Sequence, residues 1–319
     1  MEQIKNKIVL GLMLLTVIVS GCTGGNQDDE SSSSSVTVSE FSPFPNPVPS
    51  GQNVQFRMEL VNEGDSDAGN VYARLYNPPF GNSGDQVWRP TSGVGMSPAY
   101  RTLKFDTLRS AGDQTPAVPQ TRQKDFESPN LGEDREVDYT FNSNVLFNYS
   151  TTGTAEVKIL GEKAYRDQQS PQSSADLENS DAPVQLEVRT PTPIPIYETS
   201  ETPVEKQFCV IARNQGSGTV FDPDSVPDNE DFSISEIQEA DGKLQIAIPD
   251  VGNIEFNNDE FGDERNYKEV EILDGKGVAC FQMEINDVSD TFQTTVPIRV
   301  DADYGYMKET RTNVRVEGR

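Results

Sequence analysis

From Val36 onward, short runs of alternating apolar and polar residues are separated by Gly, Pro, Asn and Asp. The runs are rich in β-branched and aromatic side chains, and a period of two residues marks a strand with one buried face. The pattern predicts strands over Val54–Val61, Val71–Tyr76, Thr154–Leu160, Val184–Val188 and Phe208–Ala212. It continues with Leu244–Ile248, Val278–Ile285, Thr294–Asp303 and Thr312–Val316. No stretch keeps a helical period over about a dozen residues, and the 21 prolines are dispersed along the chain. The expected fold class is all-β, built from sandwiches.

The longest apolar run, Ile8–Val19, obeys a different logic. Lys5 and Lys7 precede it, as in the charged region of a signal peptide. It is shorter than the roughly 20 residues a membrane span needs. It leads into Val19-Ser20-Gly21-Cys22, which looks like a lipoprotein signal with its lipobox. That resemblance implies cleavage before Cys22, lipid on its thiol, and a mature protein held at the extracellular face of the cell membrane; an uncleaved anchor is the competing account. Residues 1–21 are then the signal. Residues 22–35, with Gly24-Gly25, Asp28-Asp29-Glu30 and a run of serines, form a flexible tether.

Charge narrows the partners. The 319-residue chain carries 52 acidic and 26 basic residues, a formal charge of -26. Such a surface argues against nucleic acid and against anionic lipid headgroups. It suits a protein that stays hydrated in high salt, as in a halophilic microbe such as an archaeon; an ordinary acidic exported protein is the alternative. There is no histidine, which excludes Ser-His-Asp and Cys-His machinery and the common catalytic zinc sites. Carboxylate-pair chemistry survives that exclusion.

The chain divides at Thr190-Pro191-Thr192-Pro193-Ile194-Pro195, a stiff proline-rich connector. The expected modules are 36–190 and 196–319, with 191–195 as linker. An internal repeat supports two copies. Phe56–Gly64 leads to Gly69-Asn70-Val71, and Phe208–Gly216 leads to Gly218-Thr219-Val220. Each copy reads as a strand, an Asn-x-Gly turn and another strand. Ala155–Tyr165 with Val184–Val188 parallels Thr294–Tyr304 with Thr312–Val316, and both read as closing hairpins. With the lead-in Pro47–Gln52 and the tyrosine-rich Asp303-Tyr304-Gly305-Tyr306, these motifs resemble CARDB-like and archaeal S-layer-type immunoglobulin-like domains. The resemblance covers about half of each module. It implies two tandem immunoglobulin-like β-sandwich modules used for adhesion, display or assembly, and no active site. Phe80–Asn130 and Asp222–Asp263 stand out as long insertions.

Few residues suggest chemistry. Cys209 and Cys280 lie in strand-like runs where alternation points them inward, so a disulfide across the sandwich or two buried thiols are both open. The second module lacks tryptophan, so it has no antibody-type core. Asp222, Asp224 and Asp228 faintly resemble a calcium loop, though its glycine is absent and prolines interrupt it; a solvated acidic loop is the alternative. Asn257–Glu264 reads the same way. Asn148-Tyr149-Ser150 is a glycosylation sequon. Phe80, Trp88 and Tyr100 offer either a recognition surface or loop packing. The expected function is non-enzymatic, without cofactors: binding, adhesion or structural display of a surface protein or glycan. A solute-binding lipoprotein of a transporter and a carboxylate-dependent surface glycosidase are the alternatives.

Overall fold

The structure, a computed structural model, describes residues 35–91, 95–112, 115–168, 173–197, 203–257, 267–286, 289 and 291–318. The signal, Cys22 and the tether short of Ser35 lie outside the described residues. Strands dominate, as the two-residue period predicts. In chain order they are β1 (Val36–Phe44), β2 (Val48–Pro49), β3 (Asn53–Asn62), β4 (Gly69–Tyr76), β5 (Arg89–Pro90), β6 (Thr102–Lys104) and β7 (Gln120–Glu127). Next come β8 (Glu136–Gly161), β9 (Ser173–Ser174), β10 (Leu177–Asn179), β11 (Val184–Val188), β12 (Pro191–Thr192), β13 (Ile194–Ile196) and β14 (Val204–Asn214). The last are β15 (Thr219–Phe221), β16 (Lys243–Ala247), β17 (Ile254–Asn257), β18 (Lys268–Glu271), β19 (Lys276–Ile285) and β20 (Gln293–Glu317).

Three main sheets make two layers. One layer holds the sheets β1-β3-β7-β5 and β11-β14-β19-β17; the other is a ten-stranded sheet whose main path is β18-β16-β20-β8-β4-β6. Along β8 the buried parity does not break: Phe141, Val145, Phe147, Tyr149, Ala155, Val157 and Ile159 are all buried. Successive side chains point to opposite faces of a strand, so both smaller sheets cover one face of the large sheet. A single core joins Met58 and Leu60 to Phe208 and Val210 through Tyr149 and Tyr304. On the opposite face, Phe221, Val226, Phe232 and Ile237 pack over Tyr72 and Leu146.

The repeat is real and extends further than the motif. Val36 pairs with Asn62 in one copy, and Val184 pairs with Asn214 in the other. Asn62 Nδ2 donates to Ser66 O at 2.7 Å, and its Oδ1 accepts the Gly64 N–H and the Tyr149 hydroxyl. Asn214 Nδ2 donates to Gly218 O at 2.8 Å, and its Oδ1 accepts the Gly216 N–H and the Tyr306 hydroxyl. Both asparagines thus close the turn through their side chains, and each is locked by one buried tyrosine.

The two halves do not sit as beads on a string. All 25 residues of β20 pair antiparallel with β8. The first part of β8 lies under the β1-containing sheet, and its remainder runs on beneath the β11-containing sheet. β20 does the reverse, delivering Val314 and Val316 to the core of Phe56, Trp88 and Phe141 in the N-terminal lobe. Ser33–Arg319 forms one compact unit, and the expected division at 191–195 does not part it. Those residues are built into sheets: β13 pairs parallel with β8, and Ile194 and Ile196 are buried.

The expected closing hairpins are absent for the same reason. Asp303-Tyr304-Gly305-Tyr306 continues straight through β20. Gly305 is required not for a turn but for a close approach, since the Phe221 ring lies where a β-carbon would stand. Val184–Val188 pairs with β14 rather than folding back on β8. The apparent insertions are also structural, for Phe80–Asn130 supplies β5, β6 and β7, and Asp222–Asp263 supplies β16 and β17.

Candidate functional site

The repeat locates its own centre. It carries Tyr149 onto Tyr306, while Tyr149 pairs with Tyr304 and Phe147 pairs with Tyr306. The exchange of β8 and β20 is therefore centred on the pair between these two, Asn148 and Gly305. Alternation turns Tyr149 and Tyr304 into the core and Asn148, Ser150 and Asp303 out of it. On that outer side a cleft of about 310 Å³ opens, lined by Asp67, Gly69, Asn148, Ser150, Pro223 and Asp303.

The cleft presents mostly hydrogen-bond acceptors. Asn148 Oδ1 is enclosed and makes no hydrogen bond. Asp303 keeps a solvent-facing side, yet desolvation, followed by the charge of Asp301, raises its carboxyl above the ordinary aspartate range. Asp67 shifts the other way. The Ser110 N–H at 2.9 Å is the largest cause, and the Arg109 guanidinium adds to it. On the core side, burial pushes the Tyr306 hydroxyl up to about 12, and burial raises Tyr149 and Tyr304 as well. These phenols stay protonated and act as structural donors: Tyr149 and Tyr306 lock their asparagines, while Tyr304 shares a hydrogen bond with Thr151.

The sequence-derived candidates do not converge on this cleft, apart from Asn148. Its sequon lies mid-strand, with Gly69 on one side and Gly305 on the other, rather than in the exposed loop a glycan acceptor favours. Asp222 and Asp224 serve their own loop. Asp222 Oδ1 caps the Asp224 N–H at 3.0 Å, and Asp224 Oδ2 accepts from Gln245 Nε2 at 3.0 Å. Asp228 is exposed. Among the described residues no group of three or more carboxylate, cysteine or histidine side chains is placed to hold a metal ion. The second acidic stretch, Asn257–Glu264, falls outside the described residues except for Asn257. Trp88 is fully buried, in edge-on contact with Phe56 and Phe141, and Phe80 and Tyr100 pack against the same core. They are packing residues.

Cys209 and Cys280 are disulfide-bonded, 71 residues apart in sequence. The bridge does not cross the sandwich. It joins neighbouring strands β14 and β19 at opposed positions, with Cα atoms 4.0 Å apart. The expected inward orientation is corrected by the strand's own alternation. Phe208, Val210, Ala279 and Phe281 take the buried parity, so both cysteines face outward and are half-buried. Cys209 spends its backbone groups on the other neighbour, donating to Thr190 Oγ1 and accepting from the Arg189 N–H. That leaves it and Cys280 a non-hydrogen-bonded pair, the kind in which opposed side chains lie closest.

No protein-family model matches this chain, and no curated protein shows significant similarity to it. Sequence reading missed Tyr149 and Tyr306 as partners of the repeat asparagines. No local pattern marks them, since their places next to the centres of β8 and β20 follow from strand lengths seen only in the structure.

Proposed function

We propose that this protein is a non-enzymatic surface lipoprotein, anchored through Cys22, that binds or displays a partner at the extracellular face of the membrane. The observation that carries the reading is the fusion of two repeat copies through one continuous β8–β20 ladder. A scaffold of this kind holds loops and clefts in fixed relation without hinges. The cleft over Asn148 and Gly305 faces away from both smaller sheets. Its acceptors suit a ligand rich in donors, such as a glycan hydroxyl face. The membrane is met through lipid, and the acidic surface disfavours nucleic acid. Detergent phase partition of wild type and Cys22→Ser tests the anchor: wild type is expected in the detergent phase and the variant in the aqueous phase or uncleaved. Equal partition of both would remove the anchored reading.

One observation favours a second reading, a glycan-cleaving site. Asp303 and Asp67 share a cleft and are shifted in opposite directions, the pattern of an acid and its ionised partner. Hydrolysis of chromogenic glycosides that disappears in Asp303→Asn would establish it over the binding scaffold.

A further inference from the structure

In a chain this acidic, cations are expected to find carboxylates. Many do: Arg57, Arg109, Arg213, Arg299 and Arg315 each make an ion pair. The half-buried Arg89 and Arg122 do so too, with Glu127 and Asp106. Among the described residues, Arg74, Arg101 and Lys124 pair with no carboxylate, although Arg74 is only 8% exposed and the other two are half-buried. A buried charge without a counter-ion is costly, so these three call for a physical reason.

The three residues flank the backbone of Thr102. Arg74 on β4 is opposite Thr102 on β6, Arg101 precedes Thr102, and Lys124 on β7 donates to Thr102 O at 3.4 Å. Each lies over an aromatic ring: Arg74 over Phe232 at 5.1 Å, Arg101 over Phe80 at 5.3 Å, and Lys124 over Tyr100 at 5.1 Å. Ring faces steady a cation but do not neutralise it. Arg74 also donates to Phe232 O. Arg101 Nε is enclosed and has no acceptor. Desolvation depresses all three groups, and the Arg101 charge depresses Arg74 further. Asp231 and Glu230, on the loop that crosses this region, favour the charged forms of Arg74 and Lys124 from beyond ion-pair distance.

We propose that Arg74, Arg101 and Lys124 form a binding site for a tetrahedral oxyanion, a sulfate or phosphate group, with the acidic segment Glu230-Asp231 as its competing neighbour. Guanidinium groups donate to such oxygens in pairs, and an ammonium adds a point charge. The sulfate or phosphate is either a free ion or a substituent on a glycan. The site does not depend on the anchoring or display reading, and it lies apart from the Asn148 cleft.

The test is calorimetric titration of the purified full-length protein with inorganic sulfate and inorganic phosphate, at ionic strength held constant with chloride. Wild type is expected to bind at least one of them saturably. Arg101→Gln and Lys124→Gln are each expected to weaken binding by about tenfold, the worth of one charge-assisted hydrogen bond. Arg101→Lys keeps the charge and is expected to retain most of the affinity, which separates binding from packing on Phe80. Glu230→Gln with Asp231→Asn removes the competitor and is expected to tighten binding by roughly two- to fivefold at low salt. A sulfated disaccharide that binds more tightly than inorganic sulfate identifies a glycan as the source; equal affinity identifies the free ion. Absence of saturable binding of both ions to wild type, or an affinity unchanged in Arg101→Gln, would overturn the proposal.

Discussion

The exchange of β8 and β20 makes a prediction about what can be cut away. A fragment covering residues 35–190 contains the expected first module, but it lacks the last part of β20. In the intact chain that segment places Val314 and Val316, both fully buried, against Phe56, Trp88 and Phe141. It also pairs with β8 from Asn148 back to Glu136. Burial of an aliphatic side chain of this size is worth about 1.5–3 kcal/mol, so the two valines alone contribute roughly 3–6 kcal/mol. That is a large share of the about 5–15 kcal/mol by which a domain is usually stable. The fragment is therefore expected to unfold without a cooperative transition in urea, followed by circular dichroism. A synthetic peptide spanning 304–318 is expected to restore the transition in a concentration-dependent way. In the full-length protein, Val314→Ala and Val316→Ala are each expected to cost about 2–3 kcal/mol. If the fragment unfolds cooperatively, at a midpoint the peptide does not move, the N-terminal lobe is complete without β20 and the reasoning fails.

Other substitutions probe single features. Gly305→Ala sets a methyl group against the Phe221 ring and is expected to cost about 1–3 kcal/mol as overpacking, read from the urea midpoint; an unchanged midpoint would show that the ring yields freely. Replacing both Cys209 and Cys280 by alanine opens a 71-residue loop, and chain entropy puts the loss near 4 kcal/mol. Because one core joins the lobes, the whole transition is expected to shift, and separate melting of the C-terminal lobe alone would contradict that. Asp303, raised above its unfolded value, binds its proton more tightly in the folded chain. Its contribution is therefore greatest at low pH and falls as pH rises from the ordinary aspartate range through the raised value. Asp303→Asn is expected to flatten that fall above the ordinary aspartate range, as measured by urea midpoints across a pH series.

Much of the strand content is legible because it is local. Val184–Val188 and Val71–Tyr76 alternate or run apolar over a strand's length, and the Asn-x-Gly turns carry their own conformational logic in two residue types. What escapes the sequence depends on partners. Gln120–Glu127 has one buried apolar residue, Phe126, and is a strand because β3 supplies the ladder on one side. Gly305 looks like a turn residue until the Phe221 ring is placed over it. The cysteines and their apolar neighbours give alternation two opposite phases, and only the packed core shows that the aromatic phase wins. In the cleft, Asn148 was visible only as a sequon, and its pairing with Gly305 rests on a register that no local pattern encodes.

The ladder also fixes the order in which the molecule can be made. The first lobe waits for residues far along the sequence, because β20 begins only at Gln293 and reaches Phe141 at Thr312. Domains usually fold in turn as they leave the ribosome; here the first lobe stays open until β20 has been made. Pairings this distant are slow to form, since loop closure precedes any gain from contact. A chain built in this way stays threadable until β20 emerges.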